Sequence, residues 1–363
     1  MRKIIMTLMV FVLAGCGSKT SVSDSESNLD TQQIFKWKLV TTWPKNYPGL
    51  GSAPENFANK VAAMSDGRLT VKVYGAGQLV PAFEVFDAVS QGTAQLGHGA
   101  SYYWTGKTNA AAFFTSVPFG LNAQEMNGWL HYGGGLELWR ELYEPFNLLP
   151  FAAGSTGVQM AGWFNREINS MDDIKGLKMR IPGLGGDVIT RAGGVSVTMP
   201  GGELYTSMQT GVIDATEWVG PYNDLAFGFH QVAKYYYYPG WHEPGPILEL
   251  IVNKDAYASL PADLQAIVKG AARAVNQDML DEYTARNNSA LVELVETHGV
   301  DVRKLPDDVL IELRRLSAEV LEELANETEI SRRIAESVKA FQKQAMTYHE
   351  ISEEAYYRAR RQK

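Results

Sequence analysis

Trp37-Lys38-Leu39-Val40-Thr41-Thr42-Trp43, closed by Pro44, reads as a β-strand, and the two segments after it decide the fold class. Pro54 to Met64 sets Phe57, Val61 and Met64 at helical spacing. Ser65-Asp66-Gly67 makes a turn, and Leu69-Thr70-Val71-Lys72-Val73-Tyr74 alternates as a second strand. Strand, helix, strand is the unit from which parallel sheets are built, so the pattern implies an α/β protein.

The plan is then echoed. Pro81, Glu84, Val85, Phe86 and Val89 lead through Gln91-Gly92 to Ala94-Gln95-Leu96-Gly97. Far downstream, Pro200, Glu203, Leu204, Tyr205 and Met208 lead through Gln209-Thr210-Gly211 to Val212-Ile213-Asp214-Ala215. Each reads as a short helix, a turn and a strand, followed by aromatic residues: Tyr102-Tyr103-Trp104 after the first and Trp218 after the second. Any α/β protein contains such units; two similar lobes facing across a cleft would also give this plan. The last third is helical. One pattern runs from Pro261 towards His298, a second starts at Pro306, and a third from about Ile330 to the end carries Ile334, Val338, Phe341 and Ala345 on one face.

Outward from this body, Arg2-Lys3, the apolar run Ile4 to Leu13 and Leu13-Ala14-Gly15-Cys16 read as a lipoprotein signal peptide over 1–15. Cys16, the single cysteine, would be the lipidated residue, with 16–34 a polar tether. The remainder of the 363 residues exceeds one ordinary core. A net charge of −8 argues against a nucleic-acid partner but leaves local anion binding open.

Catalytic patterns are scarce. The histidines at 98, 131, 230, 242, 298 and 349 form no close zinc-type pair. Gly106-Lys107-Thr108 lacks the upstream glycine of a phosphate loop, and the glycines at 133–135 and 183–186 read as turns. A binding site has better candidates. Arg180 ends the apparent strand within Met171 to Pro182, where a guanidinium would clamp a carboxylate or simply face solvent. Glu217-Trp218 and Trp241-His242-Glu243 follow apolar runs; their carboxylates are either on the surface or buried beside a hard cation.

Met171 to Pro182 and Gln209 to Trp218 resemble the arginine signature and the matching segment of the substrate-binding proteins of TRAP (tripartite ATP-independent periplasmic) transporters, the DctP-like family. Glu217-Trp218 and Trp241-His242-Glu243 resemble its branch that binds 2-oxo acids or lactate with a metal cation. The resemblance implies a two-lobed, periplasmic-binding-protein-like α/β fold with a long bridging helix and an extra C-terminal helix. Lobe I would span 35–157 with about 243–280 returning to it. Lobe II would span 158–242 with about 281–328, leaving 329–363 as a dimerisation helix. Carried over by position, Arg180 would bind the ligand carboxylate. Gln159, Glu217, the Trp218 backbone and Glu243 would surround sodium or calcium. Tyr102 and Tyr103 would close over the ligand, with Trp43 walling the cleft. Met160 stands where some members offer a polar side chain, which implies a slightly more apolar acid. The implied protein is a non-enzymatic periplasmic homodimer, anchored through Cys16, that delivers a small 2-oxo or 2-hydroxy monocarboxylate to membrane permease subunits. A dicarboxylate or sugar acid, a sensor, or an anchored enzyme are the alternatives.

Overall fold

The computed structural model describes residues 33–362, so the expected signal peptide, Cys16 and nearly all of the tether lie outside the described residues. Eleven strands are described in chain order: β1 Phe35–Thr41, β2 Leu69–Tyr74, β3 Leu96–Gly99, β4 Leu148–Ser155, β5 Gly162–Phe164, β6 Lys178–Arg180, β7 Val195–Val197, β8 Ala215–Thr216, β9 Tyr235–Tyr238, β10 Ile247–Asn253 and β11 Asp301–Lys304. They form two sheets, ordered β2-β1-β3-β10-β4 and β11-β9-β5-β8-β6-β7. The expected strand-helix-strand unit is present: β1 and β2 pair in parallel around the helix Ser52–Met64, which buries Phe57, Ala58 and Val61.

Neither sheet is purely parallel, which corrects the simpler expectation. β10 runs antiparallel to β3 and β4, and β5 antiparallel to β8 and β9. The cause is where the chain crosses. β4 leaves the first sheet at Ser155, directly opposite Ile247, where β10 re-enters it. Both crossings therefore sit at one end, and the re-entering strand must run backwards. The carboxyl ends of β1, β3, β6 and β8 point to that same end, where open α/β sheets collect ligands. β10 lies between β3 and β4 and is buried along its whole length.

Three further differences have local causes. The strand expected from Val212 shrinks to Ala215–Thr216, because the Asp214 carboxylate takes the Lys178 amide at 3.0 Å and holds the preceding residues in a turn. Gly183, Gly185 and Gly186 form no free turn but open the helix Gly183–Arg191. The terminal helix breaks at Ser352, giving Glu329–Ile351 and Glu353–Ala359. Its expected outward stripe is also largely used within the chain. Ile334 and Val338 are buried, and Phe341 seats against Gly128 and Gly133, where a Cβ would come within 3.1 and 2.9 Å of its ring. The helix Ala262–Val292, about 46 Å long at 1.5 Å per residue, packs on β4 and the Ser52–Met64 helix and also on the helix Pro221–Phe227 that follows β8. It thus spans both sheets.

Candidate functional site

Arg180 is the last residue of β6, paired in parallel with both β7 and β8. It is 1% exposed, not the solvent-facing strand end that its position also allowed. A buried guanidinium needs partners for its donors, and it has them. Nε donates to the Met199 carbonyl at 3.3 Å, Nη1 to the Glu217 carboxylate, and Nη2 to the Tyr103 hydroxyl at 3.1 Å. The guanidinium also lies 5.3 Å from the Trp218 ring centre. Burial alone would lower its pKa, but Glu217, Tyr103 and Tyr102 outweigh that and hold it firmly protonated.

Glu217 follows β8 and is fully buried, its amide donating to the Arg180 carbonyl at 3.1 Å. Glu243 sits across from it on the segment that returns to the first sheet. That segment can approach because Gly240 has no side chain; a Cβ there would fall 2.2 Å from the Gln159 carbonyl. The Gln159 amide donates to the Glu243 carbonyl at 3.2 Å, and Gln159 Nε2 to the Glu243 carboxylate at 2.8 Å. Gln159 Oε1 is buried without a donor. Oxygen or nitrogen atoms of Glu217, His242 and Glu243 come within 4.8 Å of one another, all three side chains buried. Burial, then the neighbouring Glu217 charge, pushes the Glu243 pKa well above the usual carboxylate range, with Arg180 and Tyr102 opposing. Two buried carboxylates thus face one buried guanidinium. Oxygens of two carboxylates and an unclaimed amide oxygen are the donor set that a hard cation prefers, so these residues fit sodium or calcium.

The first sheet supplies the opposite wall. Trp43, Leu50, Tyr102 and Tyr103 line a tight cleft, with only about 10 Å³ of free space, together with Gln159, Arg180, Trp218 and Glu243. Tyr102 and Tyr103 occupy the short turn Ser101–Trp104 after β3, and Tyr102 reaches the second lobe where Gly183 has no Cβ to obstruct it. Trp43 is fixed from behind: its Nε1 donates to His98 Nδ1 at 2.9 Å, while His98 Nε2 donates to the Ala153 carbonyl at 3.0 Å. That tautomer requires a neutral imidazole, and burial pushes its pKa down to about 4. Tyr47, Asn223 and Tyr283 join the two lobes to the long helix, with hydroxyls on the Asn223 carbonyl and side-chain oxygen at 2.5 Å each.

Every residue singled out from the sequence for this site therefore lines or adjoins one cleft: Arg180, Gln159, Glu217, Trp218, Glu243, Tyr102, Tyr103 and Trp43. Trp218 has its ring on Gly201, where a Cβ would be 2.4 Å away. Met160 stays half-buried, its amide bonded to the Val219 carbonyl at 2.9 Å. His242 and His98 were not given roles by the sequence. Their signal was position, one beside Glu243 and the other facing Trp43 across the end of β3, and neither is readable without the pairing of strands.

Two lobes closing a buried, charged cavity at the carboxyl ends of their strands define a solute-binding protein. The comparison with known sequences gives the particular family: residues 39–328 match the bacterial extracellular solute-binding protein family 7, DctP, and the chain belongs to it. A monocarboxylate 2-oxoacid-binding periplasmic protein of Nostoc sp. is 43% identical over 344 residues, 95% of this chain and 93% of its own. Among solved structures, a TRAP periplasmic solute-binding protein of Pseudoalteromonas atlantica, with bound sodium and pyruvate, superposes with a TM-score of 0.88 at 43% identity, covering 90% of this chain and 99% of that one. Another from Colwellia psychrerythraea, with bound calcium and pyruvate, gives 0.88 at 42% identity, covering 90% and 100%. The two-lobed α/β architecture is thereby the family's own. No helix among the described residues is long and apolar enough to cross a membrane.

Proposed function

We propose that this protein captures a small 2-oxo monocarboxylate, of which pyruvate is the simplest, together with sodium or calcium, and delivers it to the membrane subunits of a TRAP transporter. The observation that carries this reading is the buried trio of Arg180, Glu217 and Glu243, one guanidinium and two carboxyl groups around one small cleft. Such a set is electrically unsuited to a free anion and well suited to an anion that arrives with a cation. Arg180 would hold the ligand carboxylate by two parallel hydrogen bonds, sharing the guanidinium with Glu217. Gln159, Glu217, the Trp218 backbone carbonyl and Glu243 would hold the cation, whose positive charge would bind the ligand carboxylate and 2-oxo oxygen together. Tyr102 and Tyr103 would cover the ligand and Trp43 would wall it, excluding water as the lobes close. The family is one of solute-binding proteins, which supports a receptor rather than an enzyme.

The same reading extends to the assembly. The lobes would comprise 35–157 with 243–280, and 158–242 with 281–328, following the two strand sets. Met346, Tyr348, Ile351 and Tyr356 on 329–363 are more than half exposed, an apolar face suited to a second copy in a homodimer. Cys16 would carry the lipid anchor that keeps the receptor at the periplasmic membrane surface. Calorimetry with pyruvate, 2-oxobutyrate and lactate, with calcium or sodium and after chelation in sodium-free buffer, tests the central reading. Cation-dependent binding of at least one acid is expected; no binding of any small carboxylate would refute it.

A further inference from the structure

The core of the first lobe holds a charge that the binding site does not use. Glu249 lies in the middle of β10 and is fully buried. Its carboxylate accepts one hydrogen bond from Trp104 Nε1 and another from the Tyr143 hydroxyl at 3.0 Å. Gly99, its direct partner across the β3–β10 ladder, has no side chain, and the Thr42 side chain and the Trp104 ring share that space, 3.0 and 3.2 Å from where a Cβ would be. The indole therefore lies over the sheet with its N–H on the carboxylate. An apolar side chain would fill this position at less cost than an ionisable group, so the acceptor itself needs a reason.

Trp104 ends the turn whose middle residues are Tyr102 and Tyr103. The other end is pinned by Ser101, whose hydroxyl bonds the Ala111 carbonyl and the Thr115 hydroxyl at 2.7 Å each. The two tyrosines are thus strung between two anchors. The Ser101 anchor is neutral; the Trp104 anchor ends on a carboxylate. We propose that Glu249 is a positioning residue which, through Trp104, holds Tyr102 and Tyr103 in the cleft, and that its grip tightens when its carboxylate is charged. This inference rests on the ligand reading above for its binding test alone.

Few groups bear on the Glu249 charge. Tyr143, on the helix Gly135–Tyr143, is the titratable side chain that meets it, and burial pushes that hydroxyl's own pKa well up. The flanking strands place Gly99 and Ala152 beside it, and Phe86 packs on both Trp104 and Tyr143. His98 pairs with Leu250 and so faces the other side of the sheet. Burial pushes the Glu249 pKa up to about 7, opposed by the bonds from Trp104 and Tyr143. Above that pH the Trp104 N–H donates to a carboxylate. Below it, the same oxygen accepts as a neutral carbonyl, while the acid proton turns to the Tyr143 oxygen. The neutral bond is the weaker of the two. Glutamine reproduces the neutral form, with an acceptor for Trp104 and a donor for Tyr143, at every pH.

The test compares wild type with Glu249→Gln by the tryptophan indole N–H resonances, that of Trp104 assigned by its loss in Trp104→Phe, and by pyruvate calorimetry with saturating calcium. The Trp104 indole resonance should move with a midpoint near 7 in wild type and stay still in Glu249→Gln, and the Tyr102 and Tyr103 ring resonances should move over that range by more in wild type than in the variant. Pyruvate should bind wild type about fivefold tighter than the variant at about pH 8.5, and equally at about pH 5.5. Comparing the two proteins at each pH cancels every titration they share. Glu249→Leu, which leaves both donors without an acceptor, should bind more weakly than Glu249→Gln at both pH values if it folds. A Trp104 resonance indifferent to pH, or equal affinities for wild type and Glu249→Gln at both pH values, would overturn the proposal. Failure of wild type to bind pyruvate would refute the ligand reading, and the Trp104 resonance, compared between wild type and Glu249→Gln, would still decide for or against Glu249.

Discussion

The two lobes bring unlike chemistry to one cavity. The second contributes a guanidinium and a carboxylate, Arg180 and Glu217, from the ends of adjacent strands, with Gln159 beside them and Glu243 reaching in from the segment that returns to the first lobe. The first contributes rings, Trp43, Tyr102 and Tyr103. Buried charges are costly to leave unpaired, whereas rings covering a ligand mainly exclude water and add modest contacts. The division implies that the second lobe decides whether a small acid binds, and the first decides how well the closed form is held.

Removing charge should therefore cost most. Arg180→Ala strips the ligand carboxylate of its partner and leaves Glu217 buried beside Glu243. A loss of at least about 100-fold in pyruvate affinity is expected by calorimetry, since breaking a buried charged pair costs about 3–5 kcal/mol. Glu243→Gln keeps the contact with Gln159 but removes one negative charge. Calcium affinity should fall on the order of tenfold to a hundredfold, measured by titrating calcium at fixed pyruvate. Tyr103→Phe removes one hydroxyl from Arg180 and leaves the ring, so the loss should be about fivefold, near 1 kcal/mol. If Tyr103→Phe cost more than Arg180→Ala, the division of labour between the lobes would be inverted.

A similar contrast runs through the cores behind the site. Asp224 in the second lobe accepts from Tyr236 at 2.6 Å, Trp163 at 3.0 Å and the amides of Val219 and Gly220 at 3.3 and 3.2 Å. Glu249 in the first has Trp104 and Tyr143 alone as donors among the described residues. Burial pushes both pKa values up to about 7. A carboxyl that holds its proton higher in the folded state than in the unfolded chain favours folding at low pH. The stability from both is thus lost as pH rises from the ordinary carboxylate range through about 7. Thermal melts of Glu249→Gln should consequently gain on wild type between pH 5 and 8.

Much of this was legible in the chain because it is local. The alternation of β1 and β2, the helix between them and the Pro261 helix start are all set by spacing. Arg180 and Glu217 were legible as residues at strand ends, and as a site only through the resemblance. What was not legible depended on partners distant in sequence. Nothing in Ile-Leu-Glu-Leu-Ile-Val marks Glu249 as buried rather than as the polar side of an alternating strand. Its partners lie 145 and 106 residues away. The stripe of Ile334, Val338 and Phe341 was readable, but whether its cover came from this chain or another was decided by two glycines, one on a different helix and one just past its end. The mixed direction of the sheets likewise comes from where the chain crosses, which no local pattern encodes.

The most direct measurement is a crystal structure grown with calcium and pyruvate, with the cation located by its anomalous signal. The expected result is a single peak about 2.3–2.6 Å from oxygens of Gln159, Glu217, the Trp218 backbone and Glu243, with the pyruvate carboxylate turned to Arg180. A cation elsewhere, or a pyruvate carboxylate facing away from Arg180, would contradict the assignment of the charged pole to the second lobe.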